Sequence, residues 1–536
     1  MAWPSIRAFL GIPEHLTGRG VSIAVVDGTF AGHPDISDGA ARRSHVVLTG
    51  QAGARPEPVR PTFGPWPAGA HGLWAAAAAG GSGVACRDAY QGAAPEADLL
   101  LLAGYHDGLV LSHEQRQLDA LRWLRDHWRQ YQVRGVQSAI RGATGSGLLP
   151  WQTEPLRIAC EQLWDEGLLV VVSSGNNPDC VARIAQAAAP SALTVGGVVV
   201  QSTGVWRDAV AYHGCRGTTF EQKWTPDVLA PADNLVLPFL EEGAGADDEA
   251  PPGYLRMDGG TSCAGPIALG AAACVWQAHP DWSALQVRTA LVRTARRQPG
   301  WSSLRAGLID VESAAGRPTD TTRVQTRTPY RRYVDWRDRS TARRIASARA
   351  DDGDEAVEAL LSFLPDQVND EVAGASAGLL QRSSPRLKTA ALCVLAAQPD
   401  HVSADLLRPH LADANVYVRA AALGTLRAAR YVRDRLLPHL RSVLTDTSPD
   451  LCQAATELAA DMGAVQLVEA LVDGLEEDVR RRWPTCFNAR TRALEALTGA
   501  AFKPRYEWRV GQPVFDDRWW LAHEDVATNW RDWLTR

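Results

Sequence analysis

The chain reads as an α/β domain built on a parallel sheet with helices on both faces, followed by an all-α region of repeated helix pairs. Three observations predict this. Short apolar runs rich in β-branched residues, Val21 to Val26 and Leu168 to Val172, end in polar or glycine-containing turns, as buried parallel strands do. The stretch Gly259-Gly260-Thr261-Ser262-Cys263-Ala264-Gly265-Pro266 runs straight into the apolar segment Ile267 to Val275, a tight turn entering a buried helix. Beyond residue 350 the apolar period becomes helical, and Leu387, Val418 and Leu451 hold matching places at steps of 31 and 33 residues.

In chain order, Val21 to Val26 ends at Asp27-Gly28, which puts a carboxylate at the carboxyl edge of the sheet, where α/β folds keep their chemistry. His71-Gly72 heads the helical stretch Leu73 to Ala79, so the imidazole projects from a helix N-terminus. Leu168 to Val172 runs into Ser173-Ser174-Gly175-Asn176-Asn177, a turn that offers a side-chain amide. Ser262 sits where the Gly-Gly turn enters its helix, beside the first free amides. A serine nucleophile needs a base, a carboxylate behind the base and donors for the oxyanion. Asp27, His71, Asn176 and Ser262 supply those groups in that order. Taken singly, each has an ordinary reading as a cap or turn residue.

Together the strings resemble the subtilisin-like serine proteases, or subtilases, whose chain order is Asp, His, Ser. The resemblance spans the first 318 residues or so. GRGVSIAVVDG resembles the family's aspartate strand, and His33-Pro34-Asp35-Ile36 its HPD-type turn. Gly92-Ala93-Ala94-Pro95 is similar to its GVAP turn, SSGNN to its AAGN segment, and Pro226 to Pro231 to its PDV-x-AP segment. GTSCAGP resembles the GTS-x-A-x-P nucleophile signature, and Gly307-Leu308-Ile309-Asp310-Val311 the segment that closes the domain. The resemblance implies a catalytic triad of Asp27, His71 and Ser262, with Asn176 in the oxyanion hole.

There are departures. The family histidine is usually followed by Gly-Thr-His, whereas here His71-Gly72 continues Leu73-Trp74, adding apolar bulk. Val136 to Gly142 stands where the family has a strand lining the substrate cleft. On that alignment Ala139, Ile140, Arg141, Gly142, Ser174 and Gly175 line the substrate site, and Arg141 would favour an acidic substrate side chain through a bidentate pair. The alternative for Arg141 is a solvated arginine at a strand end.

Composition narrows the classes. The 536 residues leave room for two or more domains, and a net charge of -6 argues against a general polyanion-binding surface. No apolar stretch reaches the roughly 20 residues of a membrane span, and the N-terminus lacks a basic start and apolar core, so neither a membrane nor a secretory route is expected. Nine cysteines without metal-type spacing fit reduced thiols and a cytoplasmic location. Only 26 residues precede Asp27, so an inhibitory prodomain of the kind found in secreted subtilases is not expected, and restraint must come from elsewhere. No cofactor is expected. Structural calcium is common in the family, but no segment shows a ligand pattern, and no metal site is assigned.

Residues 319–350 break the composition, being rich in Arg and Thr, and read as a linker or arginine-rich strap before a helical region at 351–536. There, B-type helices recur at 385–397, 416–429 and 449–463, with a looser copy at 489–499, and A-type segments lie between them. This part resembles HEAT or armadillo-like repeats; a plain helical bundle is the other reading. Repeat stacks expose long surfaces that bind partners. The terminal Trp508, Trp519, Trp520, Trp530 and Trp533 are expected to cap the stack; an aromatic peptide-binding site is the other reading. Arg481, Arg482, Arg490 and Arg492 form a modest basic cluster diluted by acidic neighbours, so nucleic acid is not the expected partner.

The whole is expected to be a cytoplasmic serine endopeptidase acting on a protein or peptide, with repeats that dock a regulator or substrate or hold the protease off. A triggered role in bacterial defence or cell death rests on analogy of architecture alone. The alternative is a catalytically silent protease fold kept as a binding scaffold.

Overall fold

The computed structural model describes residues 3–40, 42–50, 53–61, 70–104, 113–138, 146–182, 184–239, 250–316, 327–505 and 515–535. Among them, nine strands form one sheet: β1 (Ser22–Asp27), β2 (Ser44–Leu48), β3 (Glu57–Pro58), β4 (Asp98–Ala103), β5 (Val133–Ser138), β6 (Leu169–Ser173), β7 (Leu193–Val199), β8 (Val210–Ala211) and, further on, β11 (Val228–Asp233). The ribbons β9 (Gly217–Thr218) with β10 (Trp224–Thr225), and β12 (Leu235–Pro238) with β13 (Tyr254–Met257), lie apart from it. The order is β11-β7-β6-β5-β1-β4-β2-β3, with β8 beside β7. Its core pairings are parallel; only the short β3 and β8 run antiparallel to their neighbours.

Strand alternation builds two cores. Ile23, Val25, Leu99, Leu101, Leu169 and Val171 pack with the helices Ala70–Gly80 and Thr261–Ala278. The intervening Ala24, Val26, Leu100, Leu102, Val170 and Val172 pack with the helices His113–His127 and Pro155–Asp165. Burial on both faces is why these strands read as unbroken apolar runs. β1 lies between β4 and β5, so Asp27 ends a central strand.

The C-terminal region is all helical. B helices at Pro385–Ala397, Val416–Ala428, Pro449–Asp461 and Pro484–Thr498 each pack on the next, with Ala404–Leu411, Arg433–Val443 and Val468–Arg481 between them. Leu387, Val418 and Leu451, the residues in register, are all buried. Asn415 caps the second B helix, accepting from the amides of Tyr417 and Val418. The helix Asp517–Leu534 packs on Val468–Arg481 with Trp519, Trp520 and Trp530 buried; Trp508 lies outside the described residues.

Two expectations change. Residues 329–350, read as linker, form the helices Pro329–Arg337 and Thr341–Ala350. Some of their arginines are ion-paired: Arg331 with Asp165 of the α/β domain (2.8 Å), Arg332 with Glu358 (2.9 Å) and Arg337 with Asp366 (2.5 Å). Arg490 is not part of a surface cluster, because it is fully buried against Asp478 at 2.7 Å and donates to the Leu444 carbonyl.

The helical region shares its core with the α/β domain. Leu148 and Phe220 are buried in the core of the helical region, and Trp151 meets Tyr333 edge-on at 5.2 Å. No helix among the described residues is long and apolar enough to cross a membrane.

Candidate active site

Asp27 is the last residue of β1 and is almost fully buried. Its Oδ1 accepts from the Gly28 amide (2.7 Å), and its Oδ2 lies 2.7 Å from His71 Nδ1. One oxygen is thus held by the backbone while the other orients the ring. His71 is the second residue of the helix Ala70–Gly80, and its side chain is 48% exposed. Burial lowers its pKa, but the hydrogen bond and charge of Asp27 outweigh that, and the net shift is upward. A neutral imidazole with Nδ1–H on Asp27 presents Nε2 as a base.

Gly72 is required by the packing beneath the ring. A Cβ there would sit 2.0 Å from the Thr29 carbonyl oxygen. The apolar Leu73-Trp74 has a structural use: Leu73 is fully buried, while Trp74 stacks on Phe239 and donates its indole N–H to the Pro238 carbonyl at 3.1 Å. The side chain ties the histidine helix to the end of β12.

Ser262 is the second residue of the helix Thr261–Ala278 and is half-buried. The preceding turn needs its glycines: Gly260 has φ 62°, and a Cβ on it would fall 2.6 Å from Asn176 Nδ2. Asp258 fastens this turn, accepting from the Gly260 amide (2.9 Å) and the Tyr212 hydroxyl (3.1 Å). Burial raises the Asp258 carboxyl, while those two bonds oppose the shift. Cys263 is buried, and burial together with the carboxylates of Asp258 and Asp27 pushes its thiol up, away from the reactive thiolate.

Asn176 follows β6 and meets the serine turn directly. Its Oδ1 accepts from Thr261 N (2.9 Å) and Thr261 Oγ1 (2.7 Å), leaving Nδ2 beside Gly260. Gly175 N donates to Thr261 Oγ1 at 3.1 Å, and Ser173 Oγ donates to the Thr261 carbonyl at 2.6 Å. Ser174 is buried, its amide on the Val195 carbonyl. Ala139, Ile140, Arg141 and Gly142 lie outside the described residues.

The structure therefore brings Asp27 to His71 and the Asn176 turn to the residue before Ser262. Sequence reading missed Thr261, Asp258 and Tyr212. Thr261 was visible only as a letter in a motif, and Asp258 directly precedes Gly259-Gly260, where a carboxylate accepting from a turn amide is a common arrangement. Among the described residues no three His, Cys, Asp or Glu side chains come together in a way that could hold a metal ion.

A parallel sheet with an Asp-His pair at its carboxyl edge and a serine opening a buried helix defines a hydrolase class, and family comparison agrees with it. The model of the Subtilase family matches residues 18–308, more than half the chain, and the chain belongs to that family. It is similar to serine protease AprX of Bacillus subtilis (strain 168), 27% identical over 296 residues, covering 52% of this chain and 62% of the relative. It is also similar to the subtilisin-like protease PopC of Myxococcus xanthus, 26% identical over 305 residues, covering 54% and 59%. The chain thus spans less than two thirds of either relative. Among solved structures, fervidolysin of Fervidobacterium pennivorans, a keratinolytic enzyme, matches with TM-score 0.43 and 20% identity over 58% of this chain and 45% of that one.

Proposed function

We propose that the chain is a serine endopeptidase that cleaves a protein or peptide through Asp27, His71 and Ser262. The observation that carries this is the 2.7 Å contact between His71 Nδ1 and Asp27 Oδ2 at the sheet edge. Ser262 attacks the scissile carbonyl as His71 takes its proton, and Asp27 holds the imidazole tautomer and steadies the imidazolium. Asn176 Nδ2 and the Ser262 amide receive the oxyanion. His71 then returns the proton to the leaving amine, the acyl-enzyme forms, and water releases it by the same route.

The helical region, HEAT- or armadillo-like in pattern, serves regulation or substrate docking in this reading. Its contacts with the loops around the site support regulation more than loose tethering. A cytoplasmic location, with a triggered effector role in defence or cell death, is the cellular setting that suits such a protease.

Labelling by a fluorophosphonate serine probe tests the proposal. Wild-type labelling that disappears in Ser262→Ala is the expected result. A folded wild-type chain that takes no label overturns the constitutive enzyme and favours the scaffold alternative.

A further inference from the structure

The second residue of each of the four B helices reaches the catalytic domain. Arg386 lies over the Phe220 ring, 5.2 Å from its centroid. Tyr417 donates its hydroxyl to the carbonyls of Thr219 (3.1 Å) and Thr218 (3.3 Å). Asp450 accepts from the Val181 amide at 3.2 Å. Thr485, the last of the row, touches the turn that carries Asn176.

Thr485 makes three bonds there. Its hydroxyl donates to Asp179 Oδ1 (2.5 Å) and accepts from Asn177 Nδ2 (2.9 Å), while its amide donates to Asp179 Oδ2 (3.0 Å). Thr485 and Asp179 are both buried, so water does not replace these bonds. Asn177 is the neighbour of Asn176, whose own Oδ1 is held from the other side by Thr261. The turn is therefore gripped at one end by the serine loop and at the other by the fourth B helix. Gly175, just before it, has φ 102°, so the backbone enters the turn in a conformation open mainly to glycine.

We propose that Thr485 is a positioning residue of the protease site, holding the 176–179 turn in the register from which Asn176 Nδ2 meets the oxyanion. The inference rests on the reading of Asn176 as an oxyanion donor. It makes the helical region part of the catalytic apparatus: the repeats set how fast the acyl transfer step runs, and any displacement of the fourth B helix is transmitted to the oxyanion hole. Tyr417 supplies the control, because its hydroxyl fastens the same two domains at the carbonyls of Thr218 and Thr219 rather than at residues 176–179.

The test uses the full chain and a fluorophosphonate, whose phosphonyl oxygen occupies the oxyanion position, and separates the maximal labelling rate from the probe's binding constant. Thr485→Val is expected to slow the maximal rate about tenfold to a hundredfold, as misplacement of a catalytic group does, with probe binding unchanged. Thr485→Ser restores the rate, Tyr417→Phe leaves it at the wild-type value, and Thr485→Val adds nothing in an Asn176→Ala background. Thr485→Ala takes the place of Thr485→Val if the latter does not fold. A wild-type rate in Thr485→Val (or in Thr485→Ala where it takes its place), a loss in Thr485→Ser equal to that of Thr485→Val, an equal loss in Tyr417→Phe, or a further loss in the Asn176→Ala background overturns the proposal. Wild-type labelling by Asn176→Ala itself would instead remove the oxyanion reading, and this inference with it. An unlabelled wild-type chain removes the protease reading as a whole.

Discussion

The amide of Asn176 is oriented by Thr261, whose backbone N–H and hydroxyl both donate to its Oδ1, at 2.9 and 2.7 Å. With the oxygen taken twice, the NH₂ group is the one left beside Gly260 and the start of the serine helix. Thr261, the residue before Ser262, thus sets which end of the amide faces the serine turn.

Asn176→Ala should lower turnover about 10² to 10³-fold, the usual cost of one oxyanion donor, with little change in KM. Steady-state kinetics on a peptide substrate check this. An unchanged turnover would mean that another donor serves the oxyanion.

The pH profile should show the Asp27–His71 pair. Asp27 holds His71 above the ordinary imidazole value, against the opposing pull of burial, and the base acts only when neutral. Activity should therefore fall as pH drops through a value higher than 6.5, the usual histidine figure. Asp27→Asn removes the charge, so its residual activity should be much lower while the acid limb shifts to lower pH. A limb that stays in place would dissociate the profile from His71.

Gly72→Ala should damage the site without removing a polar group. Its methyl would meet the Thr29 carbonyl at 2.0 Å, so the histidine helix must shift. Overpacking of this kind costs about 1 to 3 kcal/mol. A lowered melting temperature together with slowed fluorophosphonate labelling is expected, and wild-type values for both would show that the backbone yields freely there.

The buried pair Asp478–Arg490 predicts a pH-dependent defect. Burial raises Asp478 to about 7 even though Arg490 pulls it down. Removing one member of a buried pair costs about 3 to 5 kcal/mol, so Arg490→Leu should be strongly destabilised at pH 8. A carboxyl raised above its unfolded value favours folding only while protonated, so stability is lost as pH rises from the unfolded value towards the folded one. Without Arg490 the folded value climbs further, and the defect should shrink at pH 5. Chemical denaturation at the two pH values measures it; an equal defect at both would show that Asp478 does not titrate between them.

Most of the α/β domain was legible because burial on both faces leaves a plain mark in sequence. Val21 to Val26 and Leu168 to Val172 became β1 and β6 within a residue, and the chemistry-bearing residues follow them directly. The B helices were legible for a similar reason, since Leu387, Val418 and Leu451 repeat with the stack. What stayed hidden depends on partners distant in sequence. Arg331 reads as linker charge until Asp165 is placed beside it, and Arg490 reads as surface until Gly474 makes room: a Cβ there would lie 2.3 Å from the guanidinium carbon. Thr485 and Asp450 occupy ordinary first-turn positions, and nothing local marks them as contacts with another domain.

The row formed by Arg386, Tyr417, Asp450 and Thr485 works like the cuts of a key, each matched to one fixed ward on the neighbouring domain. Solenoids ordinarily tolerate gain or loss of a repeat, since each unit contacts only its neighbours. Here an inserted or deleted helix pair would slide every later cut past its ward, so the number of helix pairs is a dimension of the protein rather than a free variable.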